Sequence, residues 1–239
     1  MDNLVENRIA VIPARGGSKR LPKKNIMDFY GKPMIAWTIE AALESKLFDL
    51  VLVSTDSEEI AAISKQYGAT VPFLRIDNAD EFSTVSEATI SGLNQLETLN
   101  NRSYQTVVQL MANCPLRSSK SIRNQVMEFE ASQNKNSLLS GFKYGMFNPW
   151  WAHEKTEDGG VKRLLTSLNK NMRSQDLPEL ICPSGATWIS CYNKLKEYGT
   201  FYTDHYSFHQ ISWMEAVDID EAEDLQLAKA AYLLTNESI

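Results

Sequence analysis

Short runs made only of apolar residues, set between stretches of helical periodicity, leave this chain few folds to adopt. Ile9-Ala10-Val11-Ile12 and Leu50-Val51-Leu52-Val53 carry no polar side chain, the pattern of strands covered on both faces. Between them Ile35, Ile39, Ala42 and Leu43 recur at helical spacing, with Glu40 and Glu44 off that stripe. This predicts a helix over residues 33–47. Asp56 with Glu59 three positions later fits a capping box for a helix running to Tyr67. The rhythm continues with a shorter strand over 69–74, a helix carrying Ile90, Leu93 and Leu96, and a strand over 106–111. A helix carrying Ile122, Val126 and Phe129 and a strand over 138–142 follow. Such alternation predicts an α/β fold with a mainly parallel sheet flanked by helices. Further on, residues 186–191 alternate like a strand and 211–213 are a candidate for another. Leu225, Ala228 and Tyr232 mark a last helix over 221–234.

In such sheets ligands bind beyond the carboxyl ends of the strands, and the residues after 9–12 suit an anion. Pro13 lacks a backbone donor and is expected to end the strand's pairing. Gly16-Gly17-Ser18 follows, among Arg15, Lys19, Arg20, Lys23 and Lys24. Two glycines permit a tight bend that turns successive N–H groups toward one point. Taken singly, a diglycine is a flexible turn and a basic run is a solvated face. Strand end, glycines, cations and a following helix in succession point to a polyphosphate. The Walker pattern G-x-x-x-x-G-K-[ST] is absent.

Asp218-Ile219-Asp220 is the second constellation. In extended chain, residues two apart share a side, so both carboxylates aim one way while Ile219 points inward. Paired oxygen ligands, with water and phosphate completing an octahedron, suit Mg²⁺ on a nucleotide. The plainer reading makes Asp220 the cap of the last helix, with Glu223 as its reciprocal partner. The two roles are compatible.

Composition narrows the partners. The chain has 239 residues, 43% hydrophobic and 23% charged, with a net charge of −6. It is long enough for a substantial core, and its acidity argues against a general nucleic-acid binder. The basic cluster at 15–24 stands against that overall trend. No apolar stretch is long enough to span a bilayer. The apolar run near the start has no basic segment before it, as a signal peptide would. Three cysteines, Cys114, Cys182 and Cys191, form neither a C-x-x-C pair nor an even framework. Reduced thiols and a cytoplasmic location are therefore expected, with Cys114 a buried small side chain. His205 and His209 lie four apart, but their surroundings do not read as a helix and no third zinc ligand is evident.

The α/β rhythm breaks after Lys143. Residues 148–180 begin with Asn148-Pro149-Trp150-Trp151, turn polar, and contain Gly159-Gly160. They read as an excursion from a core made of residues 1–147 and 181–239. Trp150 and Trp151 either pack on their own domain or serve an interface, where aromatics are enriched.

The string PARGGSKRLPKKNI, followed by GKPMI, resembles the opening signature of the sugar-acid cytidylyltransferases, particularly acylneuraminate (CMP-sialic acid) synthetases. The resemblance continues in order through STD at Ser54, CPLR at Cys114, PSGA at Pro183 and VDIDEAEDL at Val217. It implies a Rossmann-like, nucleotide-diphospho-sugar transferase-like fold. It also implies a reaction of CTP with a nine-carbon 2-keto sugar acid, giving CMP-sugar acid and pyrophosphate. Mg²⁺ on Asp218 and Asp220 is implied, as is phosphate binding by Arg15 and Lys24, helped by Gly16, Gly17 and Ser18. Asn25 and Arg75 become candidates for the cytidine. The excursion becomes a dimerisation arm that contributes Arg173 to the site of a homodimer partner, while Arg117 positions its turn.

This chain departs from that pattern on the sugar side. Sialic acid enzymes typically read LQPTSPLR where this chain reads QLMANCPLR, so Met111 replaces a sugar-contacting glutamine and Cys114 a serine. Cys182 stands where an arginine is usual. These changes point to a bacterial relative of sialic acid, such as pseudaminic or legionaminic acid. A cytidylyltransferase for the eight-carbon acid Kdo is disfavoured, because RLPKKN replaces the usual RLPGK. A non-catalytic nucleotide-binding module would have no need of Asp218 and Asp220.

Overall fold

The computed structural model describes residues 8–78, 83–132, 136–165 and 173–236. Six strands form one sheet: β1 (Arg8–Pro13), β4 (Leu50–Ser54), β5 (Thr106–Leu110), β6 (Ser137–Lys143), β9 (Ile181–Cys191) and β10 (Tyr206–Gln210). Their order is β10-β6-β9-β5-β1-β4. β1 runs parallel to both β4 and β5, and β10 runs parallel to β6. β9 is inserted antiparallel between β5 and β6. The sheet is therefore mixed but mainly parallel, an α/β fold as expected.

Strand periodicity divides the core. Ala10, Ile12, Val51 and Val53 face α1 (Met34–Ser45), α2 (Glu58–Gln66) and α4 (Ser119–Ala131), through Ile39, Ile60 and Ile122 among others. Ile9, Val11 and Leu52 face the other way, onto Leu93 and Leu96 of α3 (Val85–Asn100) and Leu195 of α5 (Tyr192–Tyr198). A smaller cluster joins α6 (Ala222–Asn236), through Ala228, to Phe29 and Met34. Phe29 lies in a two-residue-strand hairpin of β2 (Asp28–Phe29) and β3 (Lys32–Pro33). Val217 and Ile219 are buried in that same cluster, which fixes the segment carrying Asp218 and Asp220.

Four local expectations are corrected. Residues 69–74 make only a single bridge, Thr70 to Leu52, because Pro72 has no N–H to continue the pairing. The last strand is Tyr206–Gln210, not 211–213, although the Ile211 N–H still donates to the Gly141 carbonyl at 2.9 Å. Pro13 does not end pairing either: it aligns with Ser54, and the Ala14 N–H adds one more bond to the Ser54 carbonyl at 2.9 Å. The cap of α2 is Ser57, whose Oγ accepts the Ile60 N–H, so the proposed Asp56–Glu59 box does not form.

After β6, Gly145–Phe147 and Pro149–Trp151 form short 3₁₀ turns. An antiparallel hairpin of β7 (His153–Lys155) and β8 (Val161–Arg163) follows, outside the main sheet. Trp150 donates from Nε1 to the Pro178 carbonyl, and the Arg163 guanidinium lies over the Trp151 ring. Residues 166–172 of the excursion fall outside the described residues, as do 1–7. Among the described residues no helix is long and apolar enough to cross a membrane.

Candidate functional site

A pocket opens beyond the carboxyl ends of β1 and β5, bordered by the first turn of α3. Arg15, Ser18, Lys19, Arg20, Lys24 and Asn25 line one side of it, and Arg75, Met111, Asn113 and Asp220 also face it. Thr84, Val85 and Ala88 supply the border from α3. Thr84 caps this helix in a complete capping box with Glu87.

Long-range contacts shape the basic loop. The Gly16 N–H donates to Asp56 Oδ1 at 2.8 Å, the Ser18 N–H to the Gly16 carbonyl at 3.0 Å, and Asn25 Nδ2 to the Arg15 carbonyl at 3.0 Å. Glycine at 16 is set by close approach: a Cβ there would lie 3.1 Å from Ser57 Cβ. Asp56 thus ties the loop to the end of β4. Lys23 turns away to Glu59 at 2.8 Å. Lys24, by contrast, places Nζ 2.5 Å from Asp220 Oδ1, and Arg20 bridges Asp220 Oδ2 (2.6 Å) and Glu221 (2.8 Å).

Asp220 does not cap α6, and Glu223 is not its partner. The Asp224 carboxylate accepts the backbone N–H groups of Asp220 and Glu221, at 2.9 and 2.8 Å. The helix begins one residue later than the cap reading assumed, which moves the capping acid from 223 to 224. This leaves the Asp220 carboxylate directed at the pocket. Asp218 lies deeper, and its carboxylate accepts a hydrogen bond from the Asn113 side-chain amide.

The sequence profile of the family described as Cytidylyltransferase matches residues 9–236. The chain belongs to that family.

Its relatives agree. This cytidylyltransferase is 32% identical over 231 residues to the pseudaminic acid cytidylyltransferase of Campylobacter jejuni, covering 96% of this chain and 98% of that one. It is also 32% identical over 237 residues to the CMP-N,N'-diacetyllegionaminic acid synthase of Legionella pneumophila, covering 97% and 98%. A CMP:2-keto-3-deoxy-manno-octonic acid synthetase complexed with CTP has the same fold. That likeness has a TM-score of 0.70 at 15% identity and covers 97% of this chain and all of the other. The protein is a nucleotidyltransferase of the acylneuraminate cytidylyltransferase type.

The two aspartates of the cytidylyltransferase sit in different fields. Burial, reinforced by the charge of Asp220, pushes the Asp218 carboxyl up to about 6, with Lys24 opposing. Burial also pushes Asp220 up, but Lys24 and Arg20 together outweigh it and hold that carboxyl below its ordinary value. Oxygen donors converging from one extended segment fit a hard cation of the Mg²⁺ type. Among the described residues no group of three or more His, Cys, Asp and Glu could hold a metal by itself. Two carboxylates would leave the other positions to water and phosphate oxygens, which is how Mg²⁺ is usually held with nucleotides.

The arginines separate by burial. Arg75 is buried and donates from Nη1 to the Ser54 carbonyl at 2.8 Å, and burial pulls its guanidinium below the usual value. Arg117 is buried beneath the turn after β5 and donates to the Ala186 and Met111 carbonyls, so it braces that turn. Burial lowers its pKa to about 10, which leaves it charged. Arg173 is exposed, paired with Asp176 at 2.9 Å, and does not line the pocket. Burial pushes the Cys114 thiol well up, an environment for packing rather than for a nucleophile. His209, in β10, is paired with Glu128 at 2.6 Å.

Gly17 and Gly16 support the loop without lining the pocket, and Asp218 reaches it only through Asn113. Sequence reasoning missed Asn113, the first turn of α3 and the Gly16–Asp56 bond. Thr84 with Glu87 was a readable capping signal. The Asn113 and Asp56 contacts join residues too far apart in sequence to be read.

Proposed function

We propose that this protein transfers CMP from CTP to the anomeric hydroxyl of a nine-carbon 2-keto sugar acid, releasing pyrophosphate. The observation that carries this reading is one pocket in which Arg15 and Lys24 of the basic loop meet the acid Asp220. Arg15 and Lys24 hold the phosphates with Ser18 beside them, while Gly16, whose N–H is taken by Asp56, and Gly17 shape the loop that presents these side chains. Fixed cations aimed at the phosphates stabilise charge that builds on them in the transition state. Arg75 and Asn25 are assigned to the cytidine. Asp218 and Asp220 would hold Mg²⁺, which supplies charge neutralisation on the phosphates when bound. In-line attack then depends on how firmly these residues orient the two substrates.

The sugar we favour is of the pseudaminic or legionaminic type, for which the Campylobacter and Legionella relatives are named. Support comes from Met111, which lines the pocket and packs on the apolar cluster of Cys114, Ala186, Ile211 and Ala216. A Cβ at Gly185 would fall 2.8 Å from Met111 Cγ, so glycine there makes room for the thioether. An apolar wall suits a sugar acid with hydrogen or methyl in place of a hydroxyl. Across a panel of sugar acids, kcat/KM for pseudaminic or legionaminic acids should exceed that for N-acetylneuraminic acid by about tenfold or more, the worth of 1–3 kcal/mol in an apolar contact. A preference for N-acetylneuraminic acid or Kdo would overturn the assignment.

Residues 148–180 are proposed as an arm through which two copies pair, set on a core of 1–147 and 181–239. Met146 and Phe147 are 87% and 81% exposed at its base, and Val161 and Leu164 are exposed on or beside its hairpin. Arg173 lies away from its own chain's pocket, as a residue offered to a partner would. Light scattering at micromolar concentration should give twice 27.0 kDa. A monomer mass would contradict the arm. We place the reaction in the cytoplasm, where CTP is available.

A further inference from the structure

We propose that Asn113 is the positioning residue that holds Asp218 and Asp220 converged as a cation site. The inference rests on reading those two aspartates as cation ligands.

Asn113 is buried at the end of β5 and lines the pocket. Its Nδ2 faces three acceptors: Asp218 Oδ1, the Ile219 carbonyl at 3.0 Å and Asp220 Oδ1 at 3.3 Å. Because all three are acceptors, the NH₂ end of the carboxamide and not its oxygen must face them. The backbone makes the reverse bond, with the Ile219 N–H donating to the Asn113 carbonyl at 3.0 Å. Asn113 therefore grips the Asp218–Asp220 segment from side chain and main chain together.

Two other groups reach this pair, but Lys24 and Arg20 bond only Asp220. Among the described residues, the Asp218 carboxylate accepts a hydrogen bond from Asn113 alone. Without it, the backbone of the segment would stay in place but the Asp218 carboxylate would lose its hydrogen bond, and repulsion between the two carboxylates would favour their separation. A neutral amide offsets that repulsion locally while adding no net positive charge. A lysine in its place would cancel the attraction for a cation; an asparagine keeps it. Partners that orient metal-binding carboxylates in this way typically contribute 10–100-fold to metal affinity.

The test is Mn²⁺ binding to the full chain by electron paramagnetic resonance, without and with CTP, for wild type, Asn113→Ala and Asn113→Ser. Steady-state KM for Mg²⁺, kcat and thermal melts are measured alongside. For Asn113→Ala the Mn²⁺ Kd should rise about 10–100-fold, with KM for Mg²⁺ rising in parallel and kcat at saturating Mg²⁺ largely recovered. Serine has one hydroxyl hydrogen and can serve one carboxylate, so Asn113→Ser should lie between wild type and alanine. It also carries the test if Asn113→Ala does not fold. Mn²⁺ affinity within twofold of wild type in the folded variants would overturn the proposal, even if melting fell, because Asn113 would then be only a brace for Ile219. Failure of the wild type to bind Mn²⁺ in either condition would remove the cation site itself, and this inference with it.

Discussion

Asp220→Asn is expected to lower CMP-sugar formation by on the order of 10²–10³, the usual effect of losing one preorganised electrostatic element. The fold should barely register the change. Asp224, not Asp220, caps α6, so the helix keeps its start. The pair to the exposed Arg20 contributes little, and the mostly buried Lys24 keeps a hydrogen-bond acceptor in the asparagine oxygen. Relief of repulsion with the buried Asp218 works in the opposite direction. A net change of about 1 kcal/mol would move the melting midpoint by roughly 2–4 °C. Raised Mg²⁺ or Mn²⁺ should restore part of the rate. Asp218→Asn should act similarly, and the double variant should fall short of the product of the two, because both groups act through one ion. Near wild-type turnover by Asp220→Asn, or full activity in excess EDTA, would contradict the assignment.

Lys24→Met is expected to lower kcat/KM by about 10²-fold or more, partly through a higher KM for CTP. Lys24 Nζ is the most buried cation on Asp220, with the side chain 16% exposed. It bonds Asp220 Oδ1, an oxygen that a cation would also use. Removing it should therefore leave Mn²⁺ binding to the free protein intact or tighter while CTP binding weakens. Lys24→Arg should not restore the rate, since a planar fork does not replace a compact ammonium in a closed site. Equal kcat/KM for wild type and Lys24→Met would remove the lysine from the phosphate site.

β1 and β4 were readable because nothing polar interrupts 9–12 and 50–53, and β5 was readable despite the buried Gln109 because Val107, Val108 and Leu110 surround it. β10 was passed over although Tyr206, Ser207, Phe208 and His209 alternate as a half-exposed strand does: it is a five-residue edge strand directly before the apolar Ile211, and its face is an aromatic ladder. Tyr206 lies 5.3 Å from Tyr202 and 5.8 Å from Phe208. The first half of β9 was hidden by Pro183 and Gly185, which usually argue against a strand; the pairing accommodates them beside a register shift between Leu139 and Gly141. At the site, the basic loop and the Asp218–Asp220 pair were legible as local patterns. Asn113 was not, since its partners lie 105 and 107 residues away. The same is true of Asp56, whose local cap reading gave way to a bond 40 residues back to Gly16.

The most direct measurement is pyrophosphate release from each nucleoside triphosphate, with and without a nine-carbon 2-keto sugar acid, in the presence of Mg²⁺. Release is predicted from CTP far above ATP, GTP or UTP, only when the sugar acid is present, and in equal amount to the CMP-sugar formed. Release that is independent of the sugar acid, or equal across the four nucleotides, would contradict a cytidylyltransferase site built from Arg15, Lys24, Asp218 and Asp220.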